Sequence, residues 1–266
     1  DSLITNYFNN FCKVNFPEKK IFHGNLIEKL RYGENPHQES AIYSKNNKLE
    51  LKQLHGKRLS YNNYNDIFAA LTISKSLPKN KGTVIIKHAN PCGISIKENK
   101  TDSFKSAFLC DPISAFGGIV SCNFKITKKL ALELNKIFLE VVIANDFEKD
   151  ALKILKLKKN LRIIDSKNFI LNETLKFISN NDSLLVQSED NDYFSKKNFK
   201  VVSKKKPNRS QLENLIFAFN TCRYVKSNAI VIASDRSTLG IGSGQPSRLD
   251  SCEIAINKMK KFNDNK

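Results

Sequence analysis

Two adjacent side chains able to handle charge and protons, Lys87 and His88, head the run Lys87-His88-Ala89-Asn90-Pro91-Cys92-Gly93, directly after the apolar segment 83–87. An imidazole exchanges protons near neutral pH, and an ammonium stabilises an anion as it develops. Side chains alternate faces along a strand, so sequence neighbours converge only where the strand ends and the chain turns. Pro91 and Gly93 are read as that turn. Catalytic groups gather at the carboxyl ends of strands in open α/β sheets. The plainer alternative is a histidine hydrogen-bonded in a turn.

Three further segments carry polar groups among turn formers. In residues 30–38, Gly33 and Asn35-Pro36 punctuate the backbone and leave Arg31 and Tyr32 free to face a ligand. Arginine offers a bidentate fork to phosphate or carboxylate, although a solvated surface Arg would look the same. Residues 110–118 end a helix and start a strand, with Gly117-Gly118 permitting positive φ or a close approach. Residues 239–248 place Gly240, Gly242 and Gly244 between a strand and a helix that Pro246 would open, beside Arg248. Amides at such a helix start attract anions, so anion or ligand contact is expected there. The spacing is not that of the dinucleotide fingerprint. His88-Ala89-Asn90 with Pro91-Cys92 mimics the zinc deaminase signature, but Asn stands where the catalytic Glu belongs and no second Cys follows at the required spacing. Three protein ligands cannot be assembled, so no metal and no zinc is expected.

The elements that must position these groups alternate in type. Short buried strands are expected at 83–87, 118–121, 141–144, 161–164, 183–186 and 228–233. Helical spacing links Ile67, Phe68, Leu71 and Leu77; Leu130, Leu134, Ile137 and Phe138; and Ala151, Leu152 and Leu155. Asp146 is the expected N-cap of that last helix. Ser210-Gln211-Leu212-Glu213 fits a capping box for a helix running to Tyr224. Such alternation indicates an α/β layered sandwich. The polar stretch 189–207 reads as a connection to a second unit of about 60 residues, too few for a self-sufficient α/β domain. The chain is therefore expected to be cut short at its C-terminus.

The chain has 266 residues, with 44 Lys+Arg against 26 Asp+Glu, a net charge of +18 and 40% hydrophobic residues. That apolar share argues against wholesale disorder. No run approaches the ~18 apolar residues of a spanning helix, and no signal peptide is read at Asp1-Ser2-Leu3-Ile4. The absence of an initiator Met suggests numbering that starts inside a longer product. Six cysteines without C-x-x-C spacing fit reduced thiols in a cytoplasmic protein. The charge raises nucleic-acid binding as a possibility, yet only seven of the 44 basic residues are Arg and the lysines are dispersed. Neither nucleic acid nor a membrane is expected as a partner. A positive surface would instead steer small anions inward.

Six segments in order, LRYGENPHQ (30–38), GKRLSYNN (56–63), KHANPCG (87–93), DPISAFGG (111–118), VKSNAI (225–230) and GIGSGQPSR (240–248), carry a resemblance. From about residue 22 to about 260 the chain resembles the aminoimidazole-carboxamide ribonucleotide (AICAR) formyltransferase part of the bifunctional purine-biosynthesis family. The resemblance implies a zinc-free, cytidine-deaminase-like αβα sandwich in duplicate, the second copy incomplete. Residues 1–21 would be a linker remnant from an absent cyclohydrolase domain, 22–190 the first unit with the Lys-His pair, and 191–266 the truncated second. The implied reaction is formyl transfer from 10-formyltetrahydrofolate, a co-substrate, to the 5-amino group of AICAR. His88 matches the family's proton acceptor and Lys87 its transition-state stabiliser. Arg31, Tyr32, Gly117, Asn228 and Arg248 would hold the nucleotide; so would Glu140, where the family often has Asp. Leu249 would lie against the folate. The family's sites form across a homodimer. The resemblance leaves two alternatives to turnover: a fragment that binds nucleotide only, or a basic nucleic-acid-binding module.

Overall fold

The computed structural model describes residues 1–12, 14–172, 175–190 and 192–263. Asn191, where the sequence reading opens its second unit, lies outside the described residues. The chain falls into two units, 1–50 and 51–266.

In the first unit, helix α1 (Ser2–Phe11) occupies part of the expected linker, and Asn6 Nδ2 meets His23 Nδ1 at 3.0 Å. Strands β1 (Asn25–Lys29) and β2 (Ala41–Ser44) pair antiparallel. The turn between them closes on itself: the Gly33 amide donates to the Gln38 carbonyl at 2.7 Å, and the Gln38 amide to that of Asn35 at 3.0 Å.

The second unit runs β3 (Lys52–His55), α2 (Tyr61–Ser76), β4 (Gly82–Lys87), β5 (Asn90–Ile96), α3 (Lys100–Cys110), α4 (Pro112–Ala115), β6 (Ile119–Ile126), α5 (Lys128–Asn135), β7 (Val141–Phe147), α6 (Lys149–Lys156) and β8 (Arg162–Asp165). There follow β9 (Leu175–Asn180), β10 (Ser183–Ser188), α7 (Arg209–Cys222), β11 (Ile230–Ser234), β12 (Ser237–Gly242) and α8 (Arg248–Asn263). Eight strands form one mixed sheet in the order β11-β12-β5-β4-β6-β7-β8-β3. Only β6-β7-β8 run parallel, each crossover made by a helix, α5 or α6. The strands contributed by 191–266 join this same sheet, β12 pairing with β5 at Ser237 and Ser95.

Alternation along β6 sorts the two faces. Val120 and Cys122 enter the apolar cluster of Phe104 and Ala107 (α3), Leu130 and Leu134 (α5) and Ala151 and Leu155 (α6). Ser121, between them, points the other way, its Oγ 2.8 Å from that of Ser74 on α2. Helices α3, α5 and α6 thus cover one face and α2 the other, which is the expected α/β layering. Asn263 of α8 donates to the Leu109 carbonyl of α3, and Tyr224 after α7 to Ser76 of α2, so each layer gains a second partner. Fully buried Ile85, Ile86, Ile94, Ile119 and Ile143 lie at the centre, each contributing about 2 kcal/mol by burial.

Several local expectations are corrected. The run 183–186 is no core strand: among the described residues β10 pairs only with β9, in a separate hairpin that leaves Phe177, Ile178, Leu184 and Leu185 exposed. Asp146 does not cap α6, because it lies within β7 and pairs with Lys125 at 3.0 Å. Glu148 takes the cap position, its carboxylate accepting instead from the Lys128 amide. The box opening α7 is Asn208 with Gln211, two residues earlier than expected; both reciprocal bonds form, at 2.8 and 3.0 Å. Helix α5 stops at Asn135, short of Ile137 and Phe138.

Candidate active site

Strand directions bring one end of the sheet together. It collects the last residues of β4, β12 and β3 and the first of β5, β6, β7, β8 and β11. Lys87, His88, Gly117, Glu140, Asn228 and Arg248 all stand at or beside these termini.

The turn after Lys87 is tighter than expected. Lys87 pairs with Asn90, so His88 and Ala89 alone connect β4 to β5, with φ of +53° and +57°. Two consecutive positive φ values make the primed hairpin turn, which normally takes Asn-Gly. Two residues with a Cβ pay about 1–2 kcal/mol each there. Pro91 and Gly93 are not the turn but lie in β5 at a register shift against Ile85 and Ile86. At Gly93 a Cβ would sit 1.9 Å from the Ala107 carbonyl oxygen, so glycine is what lets α3 close onto the strand.

Lys87, half-buried, lies on the α3 side by alternation and donates to the Phe116 carbonyl at 2.7 Å. That carbonyl sits just past α4, next to Gly117 at φ +72°, where a Cβ would fall 4.0 Å from Lys87 Nζ. An ammonium has three hydrogens, so this anchor leaves others for a ligand. The His88 side chain is exposed. Beside it stands Asp66 of α2, whose Oδ1 accepts the Ala89 amide at 2.7 Å. Burial pushes the Asp66 carboxyl above its ordinary range, and the backbone amides of the turn pull the other way.

Glu140 precedes β7 and is half-buried. Its Oε2 accepts from Asn63 Nδ2 of α2 at 2.9 Å and lies 3.6 Å from the Arg162 guanidinium at the start of β8. Ser60 and Asn63 form the capping box of α2, so the cap that begins the helix also delivers the Asn63 amide to Glu140.

On the other flank, Asn228 binds the loop ahead of α8. Its Nδ2 donates to the carbonyls of Gln245 and Pro246 at 2.9 and 2.8 Å, and its own carbonyl accepts from Ser251. The Lys226 amide, in the segment ahead of β11, donates to Asn90 Oδ1 at 3.2 Å, joining that segment to the first residue after the His88 turn. The glycine-rich segment is only partly a loop. Gly240 and Gly242 belong to β12, where a Cβ would lie 2.0 and 1.8 Å from carbonyl oxygens of α8. Gly244 alone is in the connection, and its amide is already bound to the Lys226 carbonyl at 2.8 Å. Pro246 does not open α8: Ser247 stands immediately before the helix and its Oγ accepts from the Asp250 amide. Arg248 and Leu249, both exposed, occupy the first turn.

Arg31 and Tyr32 belong to the first unit, where the guanidinium carbon lies 5.5 Å from the Tyr32 ring centroid. The Tyr32 carbonyl accepts from Ser40 Oγ at 2.7 Å. Among the described residues no group of three His, Cys, Asp or Glu could hold a metal ion. Burial pushes the thiols of Cys92, Cys110 and Cys122 up to about 12, which removes them as nucleophiles. Asp66 and Arg162 escaped the sequence reading.

The fold is that of the α/β layered class, with its polar groups gathered at one end of a central mixed sheet. The family model of the AICARFT/IMPCHase bienzyme matches residues 1–258, and the chain belongs to that family. Among relatives named bifunctional purine biosynthesis protein PurH, that of Leptospira biflexa is 45% identical over 264 residues, covering 98% of this chain and 51% of the relative. That of Thermoanaerobacter sp. is 46% identical over 261 residues, with 96% and 51% covered. The chain spans about half the length of the curated relatives it matches.

Proposed function

We propose that this chain carries the formyl-transfer site of a purine-biosynthesis enzyme, moving a formyl group from 10-formyltetrahydrofolate to the 5-amino group of AICAR. The observation that carries the reading is the Lys87-His88 step: an anchored ammonium beside Gly117, then an exposed imidazole on a clamped turn at the same end of the sheet. The aromatic amine is a poor nucleophile, because its lone pair is delocalised into the imidazole and carboxamide. As it attacks the formyl carbon, His88 takes its N–H proton and Lys87 faces the oxygen that gains the electron pair. Collapse of the tetrahedral species expels the folate nitrogen, which takes back the proton held by His88 and leaves as tetrahydrofolate. Gly117, Glu140, Asn228 and Arg248, with Arg31 and Tyr32 of the first unit, are the proposed nucleotide contacts. Exposed, apolar Leu249 is the proposed folate contact. A cytoplasmic homodimer belongs to the same proposal.

His88→Ala tests it in the protein at its natural length. Turnover falls at least about 100-fold while AICAR affinity by calorimetry stays within about threefold. A loss below about tenfold, roughly 1.4 kcal/mol of barrier, removes His88 as the base.

A further inference from the structure

We infer that Asp66 is a positioning residue for His88: its carboxylate accepts the Ala89 amide hydrogen of the His88-Ala89 turn and so fixes where the imidazole stands. The inference rests on the reading of His88 as the proton acceptor. The turn needs such a partner. Neither His nor Ala favours positive φ, and a two-residue connection offers no slack to relax into. Asp66 supplies an acceptor from a fixed post, since α2 is held by its own capping box and packs on the sheet through Ser74 and Ser121. Its Oδ1 lies 2.7 Å from the Ala89 nitrogen, a charge-assisted length. Lys87 is anchored separately, on the Phe116 carbonyl, so loss of Asp66 disturbs one member of the pair and spares the other. A half-buried carboxylate set against a strained turn is an arrangement that site geometry explains better than stability.

Two variants test it, each in the protein at its natural length. Asp66→Ala removes the acceptor, and kcat falls about 30- to 100-fold with KM for AICAR within about threefold. Asp66→Asn keeps an oxygen at the same place and restores kcat to within about fivefold of the parent. Hydrogen exchange of the Ala89 amide supplies a readout without turnover: protected in the parent and in Asp66→Asn, unprotected in Asp66→Ala. Unchanged kcat in Asp66→Ala overturns the inference, and so does an Asn variant as impaired as the Ala variant. Should the parent prove inactive, the formyl-transfer reading falls by itself. Exchange at Ala89 then decides whether Asp66 holds the turn, and protection persisting in Asp66→Ala refutes that.

Discussion

Asp111 shows how much one side chain near the site does at once. Its carboxylate caps α4, accepting from the Ser114 amide at 2.9 Å and the Ser114 hydroxyl at 2.6 Å, and it pairs with Lys258 of α8 at 2.7 Å. It thereby ties α8, which begins at Arg248, to the segment that presents the Phe116 carbonyl to Lys87. Burial alone would raise its pKa, but the bonds from Lys258 and Ser114 outweigh that and hold it below the ordinary carboxylate range. The sign follows: with the folded value depressed, the stabilisation is fully present above the unfolded pKa near 3.8 and is lost as pH falls through the folded value. Asp111→Asn is therefore expected to cost about 1.5–3 kcal/mol near pH 7, with the gap to the parent closing below about pH 4. Urea unfolding at a series of pH values measures it. A gap that persists undiminished at about pH 2.5 would mean that shape, not charge, is what Asp111 contributes.

At the scale of elements, glycines in β12 decide how close α8 comes. The Cβ of a residue replacing Gly242 would lie 1.8 Å from the Ser251 carbonyl oxygen, which is helix backbone and cannot swing aside. Gly242→Ala is expected to destabilise the protein by more than about 2 kcal/mol, read as a lowered urea midpoint. A change under about 0.5 kcal/mol would show that the helix rides looser on the sheet than drawn. The same segment marks the boundary of what the sequence made legible. Central strands β4, β6, β7 and β8 were readable, because buried strands are continuous apolar runs. So were α2, α5 and α6 from their spacing, and α7 from a capping signature placed two residues late. Strand β12 was not: Ser237-Thr238-Leu239-Gly240-Ile241-Gly242 looks like a loop until the helix backbone that requires its glycines is in place. The reverse error, at 183–186, came from apolar residues that do form a strand but that no helix covers among the described residues. At the site, Lys87 and His88 were legible by type and adjacency, with four His in the whole chain. The Asp66 clamp was not, because it spans 23 residues and exists only once α2 lies beside the turn.

Over the whole molecule, charge is the dominant property that the fold does not explain. Acidic side chains are drawn into pairs, among them Lys125–Asp146, Lys136–Glu133, Lys153–Asp150 and Arg162–Glu140, and a net +18 remains. Exposed pairs of this kind add little stability, and the uncompensated lysines repel one another, so the excess gains the fold nothing. The richness in Lys and Asn fits compositional drift, and two uses are open to the charge it leaves: holding a polyanion or drawing in a small one. A nucleic-acid surface concentrates Arg for bidentate contacts, whereas only seven of these 44 basic residues are Arg. The proposed substrates are themselves anions, a nucleotide phosphate and a folate carboxylate, and a diffuse positive field acts on their encounter rate rather than on the bound state. That field is screened within about 10 Å at 0.1 M salt. Raising ionic strength from about 0.02 to 0.5 M should therefore slow AICAR association at least about threefold in stopped-flow, with its dissociation rate nearly unchanged. The uncharged nucleoside, lacking the phosphate, should associate at a rate indifferent to salt. Equal salt dependence for both ligands would refute steering. Tight binding to duplex oligonucleotide with a steep salt slope would instead assign the lysines to a polyanion.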